Sequence, residues 1–343
     1  MKVAAPARFR GEWTSHLPTN VQVVWYDDTE DAVAAVRDAE IAWVSFGDRA
    51  AILHLMAAGP ALRWLFTQAA GIESFPIDEL NRRGIRLTNG AGISAIPVAE
   101  FAILGMLALA KNFAAYLRAQ DRHEWLTVPP GFVELAGSRA LVVGFGGVGR
   151  AVASRLRALE VSVVGVRRNP AGEAEVIGPD AWHDRLADFD WIILSAPLTG
   201  ETRFLIDRAE LARMKPTARV VNLGRGGLIN EEALIDALES GWIAGAYLDV
   251  TDPEPVQPSS RIWRAPHTIV TAHLSGSATT RLWSSAPRRP WLATSKHLPR
   301  LARKSPSRTV PPAASPSAYS NRRRPFMKTQ ARVPPAALLP ARR

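Results

Sequence analysis

In the stretch "LVVGFGGVGRAVASRL", Gly144, Gly146 and Gly149 follow an apolar run and open a helical pattern. A glycine in the first place permits a tight turn. In the second it lets the backbone approach a pyrophosphate, and in the third it lets the helix pack closely on the strand. The helix N-terminus behind them, with Gly147 and Val148 in its first turn, attracts phosphate through unpaired N–H groups. G-x-G-x-x-G alone is a weak signal, but between a strand and a helix it points to a bound dinucleotide rather than a structural turn. The next apolar run ends at Val166, and "GVRRNP" then places Arg167 and Arg168 where a site for NAD carries an acid on the ribose 2′-hydroxyl. An acid would repel a 2′-phosphate, whereas a guanidinium pairs with it bidentately. The expected cofactor is NADP. NAD is the alternative if the two arginines are a solvated surface pair.

Two alternating series of strands and helices must position these residues. In the first, "VQVVWY", "IAWVSF", "LRWLFTQ" and "IRLTN" read as strands, with "TEDAVAAVRDA", "RAAILHLMAAG" and "IDELNRRG" as helices between them. A long helix near 96–119 is expected to end this unit. The second series has six candidate strands, "ALVVGF", "VSVVGV", "WIILSAP", "ARVVNLG", "AGAYLDV" and "TIVTAH". They are rich in Val and Ile without polar alternation, as strands buried on both faces should be. The fold class is α/β in two domains, the second a doubly wound parallel sheet.

Composition divides the chain differently. Residues 1–280 hold 27 basic and 32 acidic side chains, a net −5, while residues 281–343 hold 15 basic ones and no acid. The last acid is Glu254, and the following 89 residues have none. Residues 285–343 are dense in Pro, Arg and Ser without an apolar period, a composition that leaves a tail disordered. A shifted reading frame after "SGSATTR" in a GC-rich gene would produce this change; a genuine basic extension, able to act as a nucleic-acid arm, is the alternative. The chain has no cysteine, which excludes disulfides and a thiol nucleophile and suits a reducing compartment. The N-terminus lacks the apolar run of a signal peptide, so a cytoplasmic protein with no membrane partner is expected. No histidine–carboxylate cluster has metal-ligand spacing, and no metal is expected.

Further motifs sharpen the reading. "LSAPLTGETRFLI", "MKPTARVVNLGRGGLIN", "AGAYLDVTDPEP" and "TAHLSG", preceded by "TQAAGIESFPIDEL" and "NGAGISAIPVAEF", resemble the D-isomer-specific 2-hydroxyacid dehydrogenases. That family includes phosphoglycerate dehydrogenases and glyoxylate and hydroxypyruvate reductases. The resemblance runs in order from about residue 41 to about residue 281. It implies a flavodoxin-like substrate domain over 1–101, a Rossmann cofactor domain over 102–284 and a homodimer. It also implies an enzyme transferring a hydride between NAD(P)H and a small 2-oxoacid held between the domains.

Carried over by position, the family's arginine is Arg225, its carboxylate Glu254 and its histidine His273. The chemistry needs these types. Arg225 can grip an oxoacid with its fork of donors. His273 can give a proton to the nascent alkoxide, and Glu254 beside it favours the imidazolium and holds the ring. The resemblance also assigns backbone amides of Ala70, Gly71 and Ile72 to the substrate carboxylate. It places Ala196, Pro197, Thr202, Leu223, Gly224 and Asp249 on the cofactor, Asp249 near the nicotinamide. A non-catalytic dinucleotide sensor or corepressor on the same fold is the rival, although a sensor has no need of the acid.

Overall fold

The computed structural model describes residues 1–170 and 172–276. The tail expected at 285–343, with its frameshift and nucleic-acid readings, lies outside them. Strands β1 (Lys2–Pro6), β2 (Gln22–Tyr26), β3 (Ile41–Val44), β4 (Trp64–Thr67) and β5 (Arg86–Thr88) form a sheet in the order β2-β1-β3-β4-β5. Every pair in it is parallel. The "IAWV" of β3 is buried at all four positions, which explains its unbroken apolar run. Helices Thr29–Ala35 and Arg49–Ala58 start where Asp28 and Asp48 accept the N–H of Asp31 and Ala51. Strand β1 was not among the expected strands: its "KVAAP" is short and alanine-rich, and alanine carries little strand preference.

The second sheet has seven strands rather than six. They are β6 (Arg139–Val143), β7 (Ser162–Val166), β8 (Val176–Ile177), β9 (Trp191–Leu194), β10 (Arg219–Asn222), β11 (Gly245–Leu248) and β12 (Thr268–Val270). The order β12-β11-β10-β9-β6-β7-β8 is parallel throughout. The unexpected strand, β8, has two residues, too few for a periodic signal. From β6 the chain winds outward through β7 and β8, then crosses to β9 and winds the other way. That reversal makes the crevice beyond the C-terminal ends of β6 and β9 the ligand position for such sheets.

The helix expected over 96–119 is two helices, Ala95–Ala110 and Phe113–Asp121, bent by 72°. Asn112 takes a left-handed conformation at the break, with φ 47°. The loop that follows stabilises it: the Val133 N–H donates to the Ala110 carbonyl at 3.3 Å, capping the first helix. The first helix does not close the first sheet. Val98, Ala99, Ala102 and Met106 pack with Val142, Val221 and Tyr247 of the second. Among the described residues no single helix is long and apolar enough to cross a membrane.

Candidate active site

The glycine turn follows β6. Gly144 has φ +100°, a backbone conformation that L side chains rarely adopt, and its N–H donates to the Val166 carbonyl at 3.0 Å. A Cβ on Gly149 would collide with the Gly144 carbonyl oxygen, so the helix Gly147–Ala158 sits against its own turn only because that atom is missing. Nothing lies within 4 Å of the place a Gly146 Cβ would occupy. The turn therefore presents a helix N-terminus behind open space, and it fits a dinucleotide pyrophosphate. The strand ends beside it are pressed together. A Gly224 Cβ would come within 2.7 Å of the Ala196 carbonyl oxygen, and a Gly144 Cβ would meet the Ala196 backbone. Thr202 closes the next turn, its Oγ1 donating to the Pro197 carbonyl at 2.7 Å and accepting the Thr199 N–H at 2.8 Å. Leu223 is buried in the core beneath.

Arg167 leaves the end of β7 beside this turn, and it has company that the sequence did not announce. Its Nη1 donates to Glu173 Oε1 at 2.9 Å, and Arg150 Nη2, from the glycine-turn helix, donates to the same oxygen at 2.7 Å. The guanidinium of Arg150, and then that of Arg167, hold the Glu173 carboxyl below the usual carboxylate range. Arg168 pairs with Glu201 at 3.0 Å with both side chains exposed. A 2′-phosphate arriving here would compete with Glu173 for Arg167.

Arg225 stands three residues beyond β10. Buried Asn222 folds that turn: its Nδ2 donates to the Arg225 carbonyl at 2.9 Å and its Oδ1 accepts the Gly224 N–H at 3.1 Å. The guanidinium is tethered twice, Nη1 to the Gly224 carbonyl at 2.6 Å and Nε to Glu73 Oε1 at 3.0 Å. Glu73 follows β4 in the first sheet, so this ion pair joins the two halves of the fold. Nη2 lies against Gly71, where a Cβ would collide with it. Among the described residues, the N–H groups of Ala70, Gly71 and Ile72 have no hydrogen-bond acceptor. The Ala70 carbonyl takes the Asn89 amide at 2.6 Å. Nη2 is the guanidinium nitrogen that carries neither tether.

His273 stands three residues beyond β12, and its Nδ1 lies 2.8 Å from Glu254 Oε2. Glu254 Oε1 accepts the Thr251 N–H at 3.1 Å. A Gly226 Cβ would collide with the Thr251 carbonyl, so the Arg225 turn and the Glu254 loop are packed backbone to backbone. Asn222, Leu248 and Val270 are in register as the last residues of β10, β11 and β12. Arg225, Glu254 and His273 thus emerge from one edge of three neighbouring strands.

The loop bearing His273 is strained and clasped. Ala272 and His273 both have positive φ, 53° and 56°, which costs about 1–3 kcal/mol per residue. Asp249, only 2% exposed, brackets them. Its Oδ1 accepts the Thr271 hydroxyl at 2.8 Å and the N–H groups of Leu274 and Ser275 at 3.2 Å, and its Oδ2 accepts the Ser275 hydroxyl. Thr271 gives its hydroxyl proton to Asp249, so the Tyr247 phenol, pushed up to about 12 by burial, donates to Thr271 at 3.0 Å. The carboxylate of Asp249 thus holds the loop that carries the histidine.

Glu73, Asn222, Arg150 and the Asp249 clasp were missed from the sequence. Only Glu73 left a signal, as an acid two residues after a glycine assigned to the substrate.

The family model of the D-isomer specific 2-hydroxyacid dehydrogenase NAD-binding domain matches residues 103–275. A glyoxylate reductase from Pyrococcus furiosus is 34% identical over 230 residues, 64% of this chain and 68% of that protein. A D-3-phosphoglycerate dehydrogenase from Archaeoglobus fulgidus is 33% identical over 65% of this chain and 43% of its own. The structure of an NADPH-dependent glyoxylate/hydroxypyruvate reductase from Sinorhizobium meliloti, in complex with NADP and malonate, superposes with a TM-score of 0.68 at 25% identity, covering 82% of this chain and 88% of that one. The chain belongs to the D-isomer specific 2-hydroxyacid dehydrogenases, NAD(P)-dependent oxidoreductases with a Rossmann cofactor domain.

Proposed function

We propose that this chain reduces small 2-oxoacids of the glyoxylate or hydroxypyruvate kind, with NADPH preferred, and catalyses the reverse oxidation. The 2.8 Å contact of His273 Nδ1 with Glu254, on the strand edge that also carries Arg225, is the observation that carries the reading. The oxoacid carboxylate binds Arg225 Nη2 and backbone amides of Ala70, Gly71 and Ile72. With Nδ1 held by Glu254, His273 has Nε2 left to hydrogen-bond the carbonyl oxygen and to protonate it as charge develops there. Glu254 keeps the Nδ1 proton in place and compensates the imidazolium charge. Residues 144–149 would hold the cofactor's pyrophosphate and residues 196–197 and 223–224 would line its path toward the nicotinamide, which would supply the hydride. A 2-oxoacid panel assayed with NADPH and NADH, with the product identified, tests this. Failure of all of them to oxidise either cofactor would sink it.

In this reading of a cytoplasmic enzyme, the first sheet is the core of the substrate domain, and the second sheet with the helix Ala95–Ala110 packed on it is the core of the cofactor domain. NADPH preference comes from Arg167, released from Glu173 to the 2′-phosphate. Arg167→Asp should move the kcat/KM ratio toward NADH by about tenfold or more, since a charge-assisted bond is worth roughly 1.5–3 kcal/mol. Equal use of both cofactors by the unaltered protein contradicts it.

The enzyme works as a homodimer. Leu104 and Leu107 on one helix, Phe113 and Leu117 on the next, and Trp125 and Phe132 after it are all exposed. Large apolar side chains massed along one segment mark a contact surface. Sedimentation equilibrium should give twice the chain mass; a monomer at micromolar concentration is the contrary result.

A further inference from the structure

We propose that Arg150 is a second ligand for the cofactor's 2′-phosphate, and that Glu173, on the loop after β7, is a built-in competitor for that phosphate. The proposal rests on the reading of Arg167 as the first ligand.

The fold fixes both arginines at their backbones. Arg150 follows Gly149 in the glycine-turn helix, where its N–H donates to the Gly146 carbonyl at 3.0 Å. Its guanidinium lies over the ring of Phe145, 5.0 Å from the centroid, and Phe145 is 4% exposed. That ring fits because Gly165 has no Cβ to collide with it. Arg167 leaves β7 with its N–H on the Ile177 carbonyl of β8 at 3.1 Å. From these two origins Arg150 Nη2 and Arg167 Nη1 reach one atom, Glu173 Oε1.

Two guanidiniums converging on one oxygen form an anion site, and the loop supplies an anion of its own. Nearby arginines are matched one to one, Arg157 by Glu175 at 3.2 Å and Arg168 by Glu201 at 3.0 Å. Arg150 and Arg167 share one acid, which leaves a positive charge over. A phosphate brings up to two negative charges and three acceptor oxygens, so it can take both guanidiniums and displace the carboxylate. Glu173 is 34% exposed and can turn out to water. Held below the usual carboxylate range by Arg150 and then Arg167, it stays an anion at neutral pH and competes as one. Affinity for the 2′-phosphate is then reduced by the fraction of molecules in which the pair is free. NAD lacks that phosphate and has no need to open the pair.

Glu173→Gln tests this in the full-length protein. The amide oxygen can still accept from both arginines, but without its charge it holds them less firmly. Calorimetric titration with NADP⁺ and with NAD⁺ reads the effect without turnover. NADP⁺ should bind the variant about tenfold more tightly, the gain expected if about one unaltered molecule in ten has the pair free. Damage to the fold cannot produce a gain in affinity. The ratio of the NAD⁺ to the NADP⁺ dissociation constant should rise by the same factor.

Arg150→Gln should move the same ratio the other way by about tenfold, through loss of one charge-assisted bond to the phosphate. A ratio left unchanged by either variant, or lowered by Glu173→Gln, overturns the proposal. Failure of the underlying reading looks different. Arg167→Asp would then leave the ratio unaltered, and that result sinks both.

Discussion

Replacing His273 with Asn should lower kcat for 2-oxoacid reduction by about 10²–10⁴-fold, the usual contribution of a positioned proton donor. KM and cofactor affinity should change little, because the imidazole acts on the carbonyl oxygen only as charge develops there. Asn is close in size and keeps a hydrogen-bond donor, but its amide cannot release a proton. The loop should survive the change, since Asp249 holds it through Thr271, Leu274 and Ser275 rather than through the ring. Glu254→Gln separates orientation from charge. Its amide oxygen can still accept from Nδ1, so a smaller loss, about 10–10²-fold, is expected from the missing compensation of the imidazolium. Initial rates at saturating substrate read both. A fall of less than tenfold for His273→Asn removes the histidine from the proton transfer.

Arg225→Gln should lower kcat/KM by about 10–10²-fold. The charge-assisted bond from Nη2 to the substrate carboxylate is lost, worth roughly 1.5–3 kcal/mol, and a factor of ten corresponds to about 1.4 kcal/mol. Lysine should not rescue the loss. The native side chain ties Nη1 to Gly224 and Nε to Glu73 while presenting Nη2, and an ammonium is a point charge without that fork. Thermal stability should stay near that of the unaltered protein, because Asn222 folds the turn through the Arg225 backbone and not its side chain. A variant with an unchanged KM for glyoxylate contradicts the assignment.

The parts of this molecule legible in its sequence are those written in consecutive residues. The second sheet could be read because runs such as "WIIL" and "GAYL" are buried on both faces and need apolar side chains at every position. Gly144 and Gly149 could be read because a positive φ and a close helix approach admit no other residue. Arg225, Glu254 and His273 came through resemblance to a family.

What escaped is what the fold brings together from afar. The break at Asn112 is enforced by a loop some twenty residues onward that caps Ala110, while the apolar pattern runs on through it. Glu73 meets Arg225 across 152 residues. Asp249 reads as a strand-end acid and gave no hint of its partners 22 to 26 residues later. Nor did two arginines after β7 reveal that Glu173 already holds the first of them.

The central claim is that one strand edge carries a working cation, carboxylate and proton donor, and it is tested most directly by following reduced-nicotinamide absorbance with hydroxypyruvate. The unaltered protein and His273→Asn should be run side by side after equal binding of NADPH has been confirmed. Steady oxidation is expected from the first and a rate lower by about 10²-fold or more from the second. Tight NADPH binding by both proteins, with no oxidation by either across the 2-oxoacid panel, would contradict it and leave a dinucleotide sensor in its place.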